Sequence, residues 1–131
     1  MRGRSLASFG IYEKSAPMLI DGSKHRTFKS FIDYYIKTYS AGQIANQLCE
    51  VMDGLSTPAQ AEATQWTIDA VRNMAEDRAF WKRDCVQILI EIRSAASSHF
   101  ERQKVDPSDD VLFDIVQAVI LNFAMKPRDE K

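Results

Sequence analysis

The last apolar segment of the chain, Val111–Met125, constrains the fold more than any other feature. It reads VLFDIVQAVILNFAM, and its polar interruptions are Asp114, Gln117 and Asn122. A surface helix carries an apolar stripe on one side, whereas a helix that is apolar nearly all round must be covered on most sides. The sequence therefore predicts either a helix at the centre of a helical domain or one that is shared with a second copy of the chain.

Local signals mark where the other helices begin and end. Ser40–Gln43, Thr57–Gln60 and Asp106–Asp109 each follow the capping pattern, a short polar residue with a partner three positions later. Gly54 and Pro127 are typical of helix ends. Together with apolar residues at helical spacing, these signals predict helices over 27–39, 41–54, 58–76, 78–103 and 107–126.

The stretch from Ala59 to Val105 contains neither Gly nor Pro. One unbroken helix over this stretch would be about 70 Å long at 1.5 Å per residue, whereas a compact domain of this size is roughly 35–40 Å across. We therefore predict a break near Glu76–Arg78, with Asp77 as the N-cap. The alternative, a single long helix, would imply an extended dimer.

The expected fold is all-α, a single-domain bundle of about five helices over residues 27–126. An extended N-terminal arm (1–26) precedes the bundle, and a C-terminal tail (127–131) follows it. The first helix has an aromatic face, and Tyr34 lies off that face. The members of that face are Phe28, Phe31, Ile32, Tyr35 and Tyr39. The third helix has an expected apolar stripe of Ala63, Trp66, Ala70 and Met74.

The basic residues are concentrated at the N-terminus. The net charge of the whole chain is −1, so there is no overall electrostatic attraction to nucleic acid or to an anionic membrane. Residues 1–29, however, hold six Lys and Arg side chains against Glu13 and Asp21. One alternative function is therefore nucleic-acid binding, with phosphate contacts from Arg2, Arg4, Lys14, Lys24, Arg26 and Lys29.

Residues 40–74 extend this alternative. The run Gln43-Ile-Ala-Asn-Gln-Leu48 resembles the first helix of a helix-turn-helix motif. The helix that would read bases, Pro58–Met74, has Gln60 and Gln65 but no basic residue before Arg72. A recognition helix normally presents Arg, Lys, Asn or Gln in its first turns.

A second alternative rests on Arg93 and His99. An Arg followed six residues later by His on a helix resembles the motif of HEPN-type helical ribonucleases, in which both residues act on the scissile phosphate, usually across a dimer. Imidazole titrates near neutral pH and guanidinium binds phosphate in bidentate fashion, so the residue types suit that chemistry. The structural alternative is a surface Arg and a His that caps its helix.

Other classes of site have little support. Cys49 and Cys85 are isolated, which is typical of small buried hydrophobic residues in a reducing compartment. His25 and His99 are too few for an imidazole-rich metal site, and we expect no metal and no cofactor. We also expect no secretory signal and no membrane span, because the last helix is shorter than the roughly 20 residues that a bilayer requires. The expected location is the cytoplasm.

The sequence therefore favours a non-enzymatic protein-interaction or regulatory module that forms a homodimer. The last helix has more apolar surface than small neighbouring helices can easily cover, and oligomers bury such excess. The expected interface residues are Leu112, Ile115, Val119, Ile120 and Phe123.

Overall fold

The structure, a computed structural model, describes residues 24–125 of the chain. Within this range it is an all-α bundle, as predicted, but with six helices instead of five. They are α1 (Phe28–Thr38), α2 (Ala41–Asp53), α3 (Pro58–Met74), α4 (Arg78–Trp81), α5 (Cys85–Gln103) and α6 (Asp109–Met125). The C-terminal tail and residues 1–23 of the predicted arm lie outside the described residues.

Helix α6 lies at the centre of the bundle. It packs against α1, α2, α3 and α5. Its residues from Ile115 to Leu121 are all buried, including the polar Gln117. This confirms that the apolar segment forms a central helix, and a single protomer provides the cover.

The predicted helix starts are correct for α2 and α3. Ser40 Oγ accepts a hydrogen bond from the Gln43 backbone N–H at 3.1 Å, and Gln43 Oε1 accepts one from the Ser40 N–H at 2.8 Å. Thr57 and Gln60 repeat this reciprocal capping box. Helix α6 begins later than predicted, because Ser108 Oγ accepts from the Val111 N–H at 3.2 Å and so caps the helix.

The connection between α3 and α5 contains two breaks. The first is the predicted one, where Asp77 Oδ1 accepts from the Ala79 N–H at 3.0 Å. The prediction of one helix over 78–103 is wrong, because Asp84 caps a new helix by accepting from the Gln87 N–H at 3.0 Å. The segment that precedes α1 contacts the chain at this second break, because the Cys85 N–H donates a hydrogen bond to the Arg26 carbonyl at 3.0 Å.

The buried face of α3 differs from the predicted stripe. Thr64 and Thr67 are fully buried, and each hydroxyl donates to a backbone carbonyl one turn earlier at 2.7 Å. Because these hydrogen bonds satisfy both hydroxyls, the two threonines occupy core positions on α3. The helix is rotated accordingly, so that Met74 is exposed and Trp66 is half-buried at the edge of the core.

Two further predictions concern single side chains. The aromatic face of α1 is buried as expected except for Tyr39, which is partly buried, and Tyr34 is 43% exposed. Cys85 is buried, but the prediction for Cys49 is wrong, because its side chain is exposed on α2. No helix within the described range is long and apolar enough to cross a membrane.

Candidate functional site

Polar and aromatic side chains meet where α3 packs against α5, and we call this group the α3–α5 cluster. Helix α3 contributes Glu62 and Trp66, which lie one turn apart on the same side of the helix. Helix α5 contributes His99, Arg102 and Gln103, which are spaced to share one side as well. Because the two helices pack together, these side chains form one site.

The indole ring of Trp66 is the platform of the cluster. The imidazole of His99 stacks on it, with 5.1 Å between ring centroids and 28° between ring planes. The guanidinium carbon of Arg102 lies 5.0 Å from the centroid of the same indole, which is a cation–π distance. Arg102 Nη2 is also 3.4 Å from His99 Nδ1. Arg102 is therefore held by two neighbours although its side chain is exposed.

Two buried polar atoms of the cluster have no hydrogen-bond partner among the described residues. They are His99 Nε2 and Gln103 Oε1. His99 is only 9% exposed, and its Nε2 lies 3.7 Å from Glu62 Oε2, slightly too far for a hydrogen bond. Unsatisfied buried polar atoms are rare in folded proteins and cost free energy. Their presence here sets the cluster apart from the remaining surface.

The charge on Arg102 also lacks a counter-ion within the described part of the chain. Three other basic residues are paired, Arg83 with Glu91, Arg93 with Asp109 and Lys29 with Asp33, whereas exposed residues such as Arg72 are unpaired among the described residues, like Arg102. Arg102 instead contacts an aromatic face and a histidine. The site therefore holds an oriented cation at the surface, and guanidinium is a group that binds carboxylates in bidentate fashion.

The structure separates the two residues of the predicted ribonuclease motif. Six positions on an α-helix place Arg93 and His99 roughly 120° apart around the axis. Arg93 Nη2 pairs with Asp109 Oδ1 of α6 at 2.9 Å, whereas His99 faces Glu62 and Trp66 of α3. Within one protomer the two side chains therefore do not form a joint site.

Only some of the residues predicted to contact phosphates lie within the described part of the chain. Arg2, Arg4 and Lys14 lie outside the described residues. Lys24 and Arg26 are exposed just before α1. Lys29 is paired with Asp33 at 2.8 Å. Two basic side chains at the start of α1 thus remain free of ion pairs among the described residues.

The packing of α2 and α3 gives little support to the resemblance to a helix-turn-helix motif. The connection between α2 and α3 is short, as such a turn requires, but α2 packs mainly on α6, whereas α3 packs on α5 and α6 and has little contact with α2. Gln60 Oε1 is used in the capping box, and Gln65 Nε2 donates to Asp69 Oδ1 at 3.0 Å. The two glutamines that a recognition helix could use here are therefore both hydrogen-bonded within α3 or to its N-cap.

The proposed interface residues lie inside the protomer. Leu112, Ile115, Val119 and Ile120 are buried by the chain's own helices, and Phe123 is partly buried against the rings of Phe28 and Trp81. The expected excess of apolar surface on the last helix is therefore covered without a partner, because α1, α2, α3 and α5 surround it.

Sequence reasoning singled out His99 but missed the residues around it. Glu62 and Trp66 had the spacing of neighbours on a helix, as did His99 and Arg102, and this was the available signal. Apolar spacing alone predicts Trp66 in the core, because it does not reveal the burial of Thr64 and Thr67. In the described range, no group of three or more His, Cys, Asp or Glu side chains is placed to hold a metal ion.

Comparisons with protein-family models, with curated proteins and with solved structures give no match to this chain.

Proposed function

We propose that this chain is a non-enzymatic protein-interaction module that binds an acidic partner through the α3–α5 cluster. The observation that carries the proposal is the position of the Arg102 side chain. Its guanidinium carbon lies 5.0 Å from the centroid of the Trp66 ring. Trp and Arg are enriched among the residues that dominate binding energy at protein interfaces. An arginine that is already oriented on a ring loses less side-chain entropy when a carboxylate binds it.

Affinity capture with matched baits tests this proposal. The wild-type chain is compared with Arg102→Gln and with Arg72→Gln, an exposed arginine near the end of α3. We expect a partner that is retained by the wild type and by Arg72→Gln, is lost from Arg102→Gln, and dissociates at high salt. Identical sets of proteins on all three baits would contradict the role of the α3–α5 cluster.

Self-association is a further part of the proposal, and it needs a surface other than α6. Val86 and Ile90 are 40% and 53% exposed and lie one turn apart on α5. Two apolar side chains are a small contact compared with the roughly 800 Å² per partner of a stable interface. The expected homodimer is therefore weak. Its mass, measured by light scattering, should fall to that of a monomer in Ile90→Asp. The control variant Ile36→Asp on α1 should keep the dimer mass. A wild type that stays monomeric at high concentration would contradict it.

A second candidate function is binding of single-stranded nucleic acid. The observation in its favour is the exposed ring of Tyr34, whose centroid lies 5.1 Å from that of His25, close to the exposed Lys24 and Arg26. Aromatic rings beside basic side chains stack on bases and contact phosphates. Binding to generic RNA or DNA that weakens steeply with salt, and that Tyr34→Ala reduces, would support this function.

We further propose that the chain works in the cytoplasm. The support is the exposed free thiol of Cys49, because reducing compartments keep such thiols unpaired.

A further inference from the structure

The two ring nitrogens of His99 face groups of opposite charge. Nδ1 lies 3.4 Å from Arg102 Nη2, and Nε2 lies 3.7 Å from Glu62 Oε2. A guanidinium group only donates hydrogen bonds. Contact with Arg102 therefore requires Nδ1 to accept, which places the proton of the neutral ring on Nε2.

Protonation reverses this arrangement. A charged imidazole carries hydrogen on both nitrogens, so Nδ1 no longer accepts from Arg102, and two positive charges come to lie side by side. On the other side of the ring, Nε2–H gains a charge-assisted interaction with the Glu62 carboxylate. Each protonation state of His99 therefore favours a different neighbour.

We propose that protonation of His99 releases Arg102 from Trp66 and so switches the binding site that this arginine forms. Neutral His99 holds the guanidinium on the indole, ready for an acidic partner. Protonated His99 turns to Glu62, and Arg102 leaves the ring. This inference rests on the proposed function and adds its regulation by pH.

The surroundings of His99 are simple enough for such a switch. Glu62 on α3 and Arg102 on α5 itself are the charged groups that contact the ring within the described structure. Among the neighbouring helices, α1 pairs Lys29 with Asp33, and α6 directs Asp109 to Arg93. One carboxylate and one guanidinium are thus the charged groups in contact with the ring.

NMR spectroscopy of the whole chain tests the switch without a known partner. Because the Arg102 guanidinium lies over the Trp66 ring, we expect the ring current to shift the side-chain protons of Arg102 upfield. We expect this shift to disappear as the pH falls from about 8 to about 5, the range in which histidine changes charge.

Two variants complete the experiment. His99→Gln should abolish the pH dependence of the Arg102 signals, and Arg93→Gln, which removes a paired arginine of the same helix, should leave it unchanged. Arg102 signals of the wild type that stay constant over this range would overturn the switch, whatever the variants do. They would leave the proposed function intact, since that depends on loss of binding in Arg102→Gln at a fixed pH of about 8, where histidine is neutral.

Discussion

The imidazole of His99 stacks on the indole of Trp66, with 5.1 Å between the ring centroids. This contact joins the last turns of α5 to the middle of α3 at the edge of the core. It places a nearly buried histidine next to an exposed arginine and an exposed glutamate. An α3–α5 contact that serves only for packing would be satisfied by aliphatic side chains, whereas this one leaves buried polar atoms without partners.

The contact between Trp66 and Arg102 should be measurable as a coupling energy. A double-mutant cycle with Trp66→Leu and Arg102→Gln isolates their interaction from the separate effects of each change. We expect a coupling of about 0.5–1 kcal/mol in the free energy of unfolding, the range for exposed cation–π pairs. A cycle that pairs Trp66→Leu with Arg72→Gln is the control, and equal coupling in both cycles would argue against the contact.

Truncation of the central helix should cost far more stability than truncation at its exposed side. Ile120 is fully buried, and Phe113 on the same helix is 42% exposed. We expect Ile120→Ala to lower the free energy of unfolding by about 2–5 kcal/mol and Phe113→Ala to lower it by roughly 1 kcal/mol or less. Urea denaturation measures both, and similar losses would contradict the enclosed position of α6.

The two cysteines should differ in reactivity. Cys49 is exposed, whereas burial, helped by the nearby Asp84 carboxylate, raises the pKa of the Cys85 thiol to about 12. At neutral pH a thiol reagent should modify one cysteine in the folded chain and two after unfolding. In Cys49→Ser we expect no rapid reaction, and rapid modification of that variant would show that Cys85 is accessible.

The raised pKa of Cys85 also predicts a loss of stability at alkaline pH. Above about pH 8.5 the thiol ionises in the unfolded chain but stays protonated in the folded one. The folded state then binds more protons, so the free energy of unfolding falls as the pH rises. Between about pH 8.5 and 10 this fall should be steeper in the wild type than in Cys85→Ala, and equal slopes would contradict it.

Lys104 offers a test of local backbone strain. It ends α5 in the left-handed conformation, with φ of 60° and ψ of 38°, and the Val105 N–H donates to the Phe100 carbonyl at 3.0 Å. Glycine adopts this conformation without the cost of roughly 1–2 kcal/mol that other residues incur. Lys104→Gly should therefore raise the free energy of unfolding by about 1 kcal/mol. Lys104→Ala, which keeps the strain, should not, and a destabilised glycine variant would contradict this explanation.

Features that depend on neighbouring residues were predictable from the sequence. The capping boxes at Ser40 and Thr57 form as expected because each needs only a partner three positions away. The enclosed α6 was predictable as well, since a helix that is apolar on most sides leaves few other arrangements. Asp84 and Gln87 have the same local capping pattern at the start of α5. Apolar residues keep a constant helical spacing through Trp81 and Cys85, however, and that spacing predicts an unbroken helix.

Features that depend on distant contacts were not predictable. The hydrogen bond from the Cys85 N–H to the Arg26 carbonyl joins segments far apart in the chain. The α3–α5 cluster likewise depends on how α3 is rotated, which the burial of Thr64 and Thr67 decides. A pattern of apolar residues does not reveal that a threonine will satisfy its hydroxyl on its own helix and enter the core.

One chain encloses α6 with its own helices, and the α3–α5 cluster lies outside that central helix. Native-state hydrogen exchange over a wide range of protein concentration tests this enclosure most directly. We predict that the amides from Ile115 to Leu121 are among the most protected in the chain, and that their protection is the same at every concentration. Protection of this helix that is weak in dilute solution and rises with concentration would contradict the account.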